Sequence, residues 1–192
     1  MKKLSLITMI ALAACMFQAC SGNKDSTETA DSVNAERDSA NAVEAGVAAD
    51  ESDAKFAVDA ANGGMAEVAL GKLAEGKATN AKVKEFAAMM VADHTKANDE
   101  LMALAKTKNI TLPQAVSTEK QATMDDLTKK AGSEFDKAYV DQMVDDHKKT
   151  ISLFEDASKN AKDADLKAWA DKTLPALRTH LEHINAIHDS MK

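Results

Sequence analysis

Four segments of this chain each carry a stripe of small and apolar residues at alternating spacings of four and three, and each stripe is interrupted by one imidazole or carboxylate. The first reads Phe56, Ala60, Gly63, Glu67, Leu70, Ala74. The second reads Val83, Ala87, Met90, His94, Ala97, Leu101, Leu104. The third reads Val140, Val144, His147, Ile151, Phe154, and the fourth reads Leu166, Ala170, Thr173, Leu177, His180, Ile184, Ile187. That spacing is the period of an α-helix with one face turned to partner helices. A polar group on such a face needs a partner, because burying it bare costs about 1–3 kcal/mol. Glu67, His94, His147 and His180 therefore either satisfy one another or hold something between them.

The first residues belong to a different kind of segment. Met1-Lys2-Lys3 is basic, and residues 4–17 are almost continuously apolar. The run is short of the roughly 20 residues that a membrane helix needs, so it reads as a secretory signal over residues 1–19. Phe17-Gln18-Ala19-Cys20 resembles a lipobox with Cys20 as the lipidated residue; Leu12-Ala13-Ala14-Cys15 fits the consensus better but leaves an unusually short signal. A lipid on Cys20 makes the chain a membrane-anchored lipoprotein with a soluble body, periplasmic or on the outer membrane. Both cysteines fall here, so the body has neither a disulfide nor a cysteine ligand. Without residues 1–19 the formal charge moves from −7 to −9 through loss of Lys2 and Lys3. A body this acidic, without a basic patch, argues against nucleic acid and against direct adhesion to anionic lipid.

Residues 20–51 are rich in Ala, Asp, Ser, Asn and Glu and are expected to form a flexible tether, at most with a transient helix around 31–48. The folded domain is expected over 52–192. Ser52, Asn80, Thr118 and Asp163 are the expected N-caps, with Gln121 completing a capping box after Thr118. Short turns near 78–80 and 161–163 make two antiparallel hairpins, joined by a longer connection that holds Leu112-Pro113 and a short helix. No strand pattern occurs. Asn80-Ala-Lys-Val83-Lys-Glu-Phe86-Ala87 parallels Asp163-Ala-Asp-Leu166-Lys-Ala-Trp169-Ala170, which suggests a duplicated hairpin. Gly63-Gly64 inside the first helix allows close helix approach or a bulge that aims Glu67, and Pro175 inside the last should kink it.

Counting residues from each turn at about 1.5 Å per residue puts Glu67 and His94 within about 5 Å in height, and His147 and His180 within about 6 Å. All four can share one layer if the hairpins align. The charged neighbours Asp93, Lys96, Asp146 and Lys149 fall on the outward arc. Met65, Met90 and Met143 gather near the same layer, and Met90–His94 and Met143–His147 are i,i+4 pairs. Thioethers and imidazoles together suit copper, while methionine is also a common filler of helical cores. His183 and His188 read as a solvated face of the last turns.

The stretches Gly64-Met65-Ala66-Glu67-Val68, Met90-Val91-Ala92-Asp93-His94, Phe135-Asp136-Lys137-Ala138-Tyr139, Asp146-His147 and Leu174-Pro175-Ala176-Leu177-Arg178-Thr179-His180-Leu181 resemble the bacterial family called domain of unknown function 4142, of the ferritin-like superfamily. The resemblance spans about residues 54–188. It implies an envelope protein with a ferritin-like up-down four-helix bundle, and it supplies no activity. A di-iron carboxylate centre needs Glu-x-x-His on two helices. Here Val91, Val144 and Leu177 stand three residues before His94, His147 and His180, so ferroxidase chemistry is not expected.

Two functions follow from the residues. In one, Glu67, His94, His147 and His180, with Met90 and Met143 as further candidates, hold a transition metal such as copper, zinc or iron. In the other, the same groups form a buried hydrogen-bonded layer that fixes helix register in a structural or stress-related envelope module. No nucleophile–base pair or phosphate loop supports an enzyme; a His–Glu acid/base pair is the one catalytic arrangement left open.

Overall fold

A computed structural model of the chain describes residues 25–41 and 49–192. The expected signal peptide, Cys15 and Cys20 lie outside the described residues. Among those residues there are six helices and no strand: α1 (Ser26–Asn41), α2 (Glu51–Lys77), α3 (Ala81–Thr107), α4 (Thr118–Thr128), α5 (Gly132–Asn160) and α6 (Ala164–Asp189). The chain is all-α. None of these helices is long and apolar enough to cross a membrane.

The long helices α2, α3, α5 and α6 bury the faces that their periodicity marks. α2 packs along α3 and α5 along α6, and the two pairs meet through α2–α5 and α3–α6 seams. Their apolar residues separate into two clusters. One holds Phe56, Leu101, Phe154, Leu166 and Trp169; the other holds Leu70, Phe86, Tyr139, Val140 and Ile184. In every long helix the interrupting polar residue falls in sequence between its contributions to the two clusters. The core is thus two apolar halves with a polar layer between them.

Two buried carboxylates tie the pairs together at opposite turns. Asp53 on α2 accepts the backbone N–H groups of Lys162 (3.1 Å) and Asp163 (2.6 Å) in the α5–α6 turn. Asp136 on α5 accepts those of Thr79 (2.9 Å) and Asn80 (2.9 Å) in the α2–α3 turn, together with the Thr79 hydroxyl. One offset of 83 residues relates Asp53 to Asp136 (136 − 53) and Asn80 to Asp163 (163 − 80). The duplication suggested by the sequence is therefore matched by reciprocal contacts. Each turn would otherwise leave helix N-terminal amides without acceptors.

Asn80 and Asp163 cap α3 and α6 as expected. Two other caps differ. Asp50, not Ser52, caps α2, accepting from Ser52 N (3.0 Å) and the Ser52 hydroxyl. Ser117, not Thr118, caps α4, and Gln121 bonds forward to Asp125 instead of closing a capping box. In both cases an Asp or Ser one or two residues upstream competes for the same amides, and the upstream residue wins.

The region expected as a flexible tether contains α1. Its Ala30 and Asn34 are buried, and it packs on α2. Asn34 exchanges two hydrogen bonds with the Thr111 backbone (2.8 and 2.9 Å), and Arg37 reaches the Asn109 carbonyl and the Thr111 hydroxyl. Polar side chains hold this helix to the 109–117 connection, which is why its apolar pattern is too weak to announce it. Gly63 and Gly64 also separate. A methyl at Gly63 would meet nothing within 4 Å, whereas at Gly64 it would strike Asn98 and at Gly71 it would strike Val91 and the Ala87 carbonyl. Gly64 and Gly71 are what let α3 approach α2. Pro175 lies inside α6, which continues to Asp189.

Candidate metal centre

The polar layer gathers His94 of α3, His147 of α5 and His180 of α6, all buried, with Glu67 of α2 beside them. The ring centroids stand 5.3 Å (His94–His180), 5.6 Å (His147–His180) and 5.9 Å (His94–His147) apart. One nitrogen from each ring lies within 4.8 Å of the other two. The alignment of hairpins that the sequence could not decide is therefore the one observed.

Each ring turns one nitrogen toward an acceptor, and the other nitrogen has no partner. His147 Nδ1 lies 2.8 Å from the Met143 carbonyl, which can only accept, so Nδ1 carries the proton. His180 Nε2 lies 2.9 Å from Asp93 Oδ2. His94 Nδ1 lies 2.9 Å from Glu67 Oε2, an ion-pair approach, not an aligned hydrogen bond. Glu67 Oε1 is 3.7 Å from His147 Nδ1. The nitrogens left over are His94 Nε2, His147 Nε2 and His180 Nδ1, and these buried atoms have no hydrogen-bond partner. Buried polar atoms without partners are rare in native proteins. Three lie in this layer beside the Glu67 carboxylate: those of His147 and His180 belong to rings whose other nitrogens are hydrogen-bonded to the Met143 carbonyl and to Asp93, and that of His94 to a ring whose other nitrogen faces Glu67.

Burial pushes the His147 and His180 imidazoles below their ordinary 6.5, so both are neutral lone-pair donors at neutral pH. Burial works the same way on His94, but the Glu67 carboxylate beside it wins and raises it. For Glu67, burial acts to raise the carboxyl; His94 and then His147 outweigh it and hold the group down at about 2. Glu67 is thus an anion locked to His94.

Sequence reasoning and structure agree that Glu67, His94, His147 and His180 meet. The nitrogens that converge are those of the three histidines, and the Glu67 carboxylate lies 2.9 Å from His94 Nδ1. Met90 and Met143 are fully buried in the cluster that includes Leu70 and Phe86, and what Met143 gives the site is its backbone carbonyl. His183 is exposed, and its ring faces Phe86 edge-on at 5.9 Å. His188 pairs with Asp141 at 3.2 Å.

Two acidic residues assigned to the outward arc do more than meet solvent. Asp93 reaches across to His180. Asp146 is buried and accepts from Lys120 Nζ of α4 (2.7 Å) and Gln142 Nε2 (3.0 Å). The available signal was the repeated dipeptide: Asp93-His94 and Asp146-His147 each pair an inward imidazole with an aspartate that binds a neighbouring helix.

No curated protein matches the chain. Among solved structures, one described as CopM in the Cu(II)-bound form superposes with a TM-score of 0.62 at 13% identity, covering 73% of this chain and 97% of that one. At that identity the likeness speaks for the helical fold. A family model matches residues 38–187, and the chain belongs to the family described as domain of unknown function (DUF4142).

Proposed function

We propose that this protein binds a transition-metal ion between His94 Nε2, His147 Nε2 and His180 Nδ1. The observation that carries the reading is the set of three partnerless buried nitrogens on His94, His147 and His180, the other nitrogens of these rings facing Glu67, the Met143 carbonyl and Asp93. Imidazole donors suit copper, zinc and iron. A tetrahedral ion with bonds of about 2.0–2.1 Å needs its nitrogens about 3.4 Å apart, so nitrogens within 4.8 Å of one another draw in by up to about 1.4 Å. Glu67 and Asp93 act behind the ligands, raising their basicity and fixing their tautomers. Their two negative charges balance a divalent cation. The Cu(II)-bound protein of similar fold makes copper the first ion to test.

The role is binding, buffering or sensing within a ferritin-like up-down bundle of two hairpins. The body hangs in the bacterial envelope, periplasmic or at the outer membrane, from a lipid on Cys20 after removal of residues 1–19. The alternative, a metal-free structural layer, draws on the Glu67–His94 and Asp93–His180 pairs, but it leaves the three nitrogens unsatisfied. Exposing the full chain in detergent to Cu(II), Zn(II) and Fe(II), desalting it and assaying bound metal separates the two. Stoichiometric retention lost in His94→Ala and His147→Ala supports the metal site. No retention, with strong destabilisation by the same changes, supports the structural layer.

A further inference from the structure

The supports behind the three imidazoles differ in one respect. Glu67 and the Met143 carbonyl lie inside the protein, whereas the Asp93 side chain, which holds His180, is 51% exposed. The rings themselves are buried, with His180 only 3% exposed. Asp93 and His180 join α3 to α6, a less extensive seam than either α2–α3 or α5–α6. Cross-helix pairs along it include Lys172 with Glu100 (3.0 Å), Asp93 with His180, and Phe86 with His183.

We infer that Asp93 bolts the metal site, and that an ion passes between α3 and α6 when Asp93 releases the His180 ring. The inference rests on the metal reading given above. His180 uses Nε2 for Asp93 and keeps Nδ1 for the ion, so the ring stands between the exposed carboxylate and the site. An ion entering on this side needs the ring to swing, and the ring cannot swing while its Nε2–H donates to Asp93. His94 and His147 have no comparable freedom, since their supports are buried with them. Asp93 is a positioning residue; it acts through His180. One charge-assisted hydrogen bond at a half-exposed position corresponds to roughly a tenfold change in the opening equilibrium.

The test is stopped-flow uptake and chelator-driven release of Cu(II) by the full chain in detergent, read by quenching of Trp169 fluorescence. Asp93→Ala should raise both the association and the dissociation rate roughly tenfold, with Asp93→Asn intermediate. Glu67→Gln, whose carboxylate lies behind His94 with no path to solvent, should raise dissociation and leave association unchanged. That contrast separates a bolt from a support, because a mere support at Asp93 would move dissociation alone. An association rate that is unchanged or slower in Asp93→Ala overturns the bolt while leaving the site intact. A wild-type chain that retains no Cu(II), Zn(II) or Fe(II) overturns the site itself, and the bolt with it.

Discussion

Glu67 Oε2 lies 2.9 Å from His94 Nδ1, and the other nitrogen of that imidazole is buried without a partner. The carboxylate is therefore an orienting group, and its removal has two separable effects. Glu67→Ala strips a buried pair of one member and should lower the stability of the metal-free protein by about 3 kcal/mol in urea unfolding. Glu67→Gln keeps the shape and should lose less. Either change should weaken Cu(II) binding roughly 10–100-fold in a competition titration without abolishing one-to-one stoichiometry. Abolished stoichiometry in Glu67→Gln would make Glu67 a ligand after all.

Acid should loosen the metal-free protein below about pH 6.5. His147 and His180 have folded pKa values below the ordinary 6.5, so the unfolded chain takes up protons that the folded chain refuses. The stability they confer is complete above 6.5 and drains as pH falls below it. His94 is raised and works in the opposite sense, adding stability below 6.5 that is lost as pH rises through its folded value. Glu67, held at about 2 against an ordinary 4.5, contributes above 4.5 and loses its contribution as pH falls toward 2. Two histidines oppose one, so stability should drop by roughly 1 kcal/mol between pH 7.5 and 5.5. In His147→Gln the fall should largely vanish. Denaturation midpoints at the two pH values decide it, and a midpoint that rises on acidification would show that His94 dominates.

Asp53 and Asp136 should be equivalent in their effect on the fold. Each is a buried carboxylate accepting backbone amides from the opposite turn, so Asp53→Ala and Asp136→Ala should each cost about 2–4 kcal/mol. Both are far in sequence from the site residues on their helices. Metal stoichiometry in the variants that still fold should equal that of the wild type. Unequal losses, with one variant near zero, would argue against the two-fold relation between the hairpins.

The glycines give a test of opposite signs on one helix. Gly63→Ala meets nothing within 4 Å and should stabilise by about 0.5–1 kcal/mol through helix propensity. Gly71→Ala would put its methyl 2.8 Å from Val91 Cγ2 and 3.1 Å from the Ala87 carbonyl, and should destabilise by about 1–2 kcal/mol through overpacking. Thermal unfolding of the two variants side by side is sufficient, and a shared sign would contradict the packing of α2 on α3.

The long helices were legible because burial imposes a period, and Leu70, Val83, Val140 and Ile184 sit in the core where that period puts them. Asn80 and Asp163 were legible as caps because no better acceptor stands just upstream. What escaped was decided between helices. Nothing in the wheel position of Asp93 says that His180 of another helix stands 2.9 Å away. Whether Glu67 meets the near or the far nitrogen of His94 depends on side-chain rotations that no spacing encodes. The helix α1 has one strongly buried alanine and is held through Asn34 and Arg37, so hydrophobic pattern gave it little weight.

The direct test of the centre is the number of metal ions retained per chain after exposure to Cu(II) and desalting, in the wild type and in His94→Ala/His147→Ala/His180→Ala. A three-histidine centre requires about one ion per wild-type chain, by analogy with single mononuclear His sites, and essentially none in the triple variant, with far-UV circular dichroism showing that the variant remains helical. Retention by a folded triple variant equal to that of the wild type, or no retention of Cu(II), Zn(II) or Fe(II) by the wild type, would contradict it.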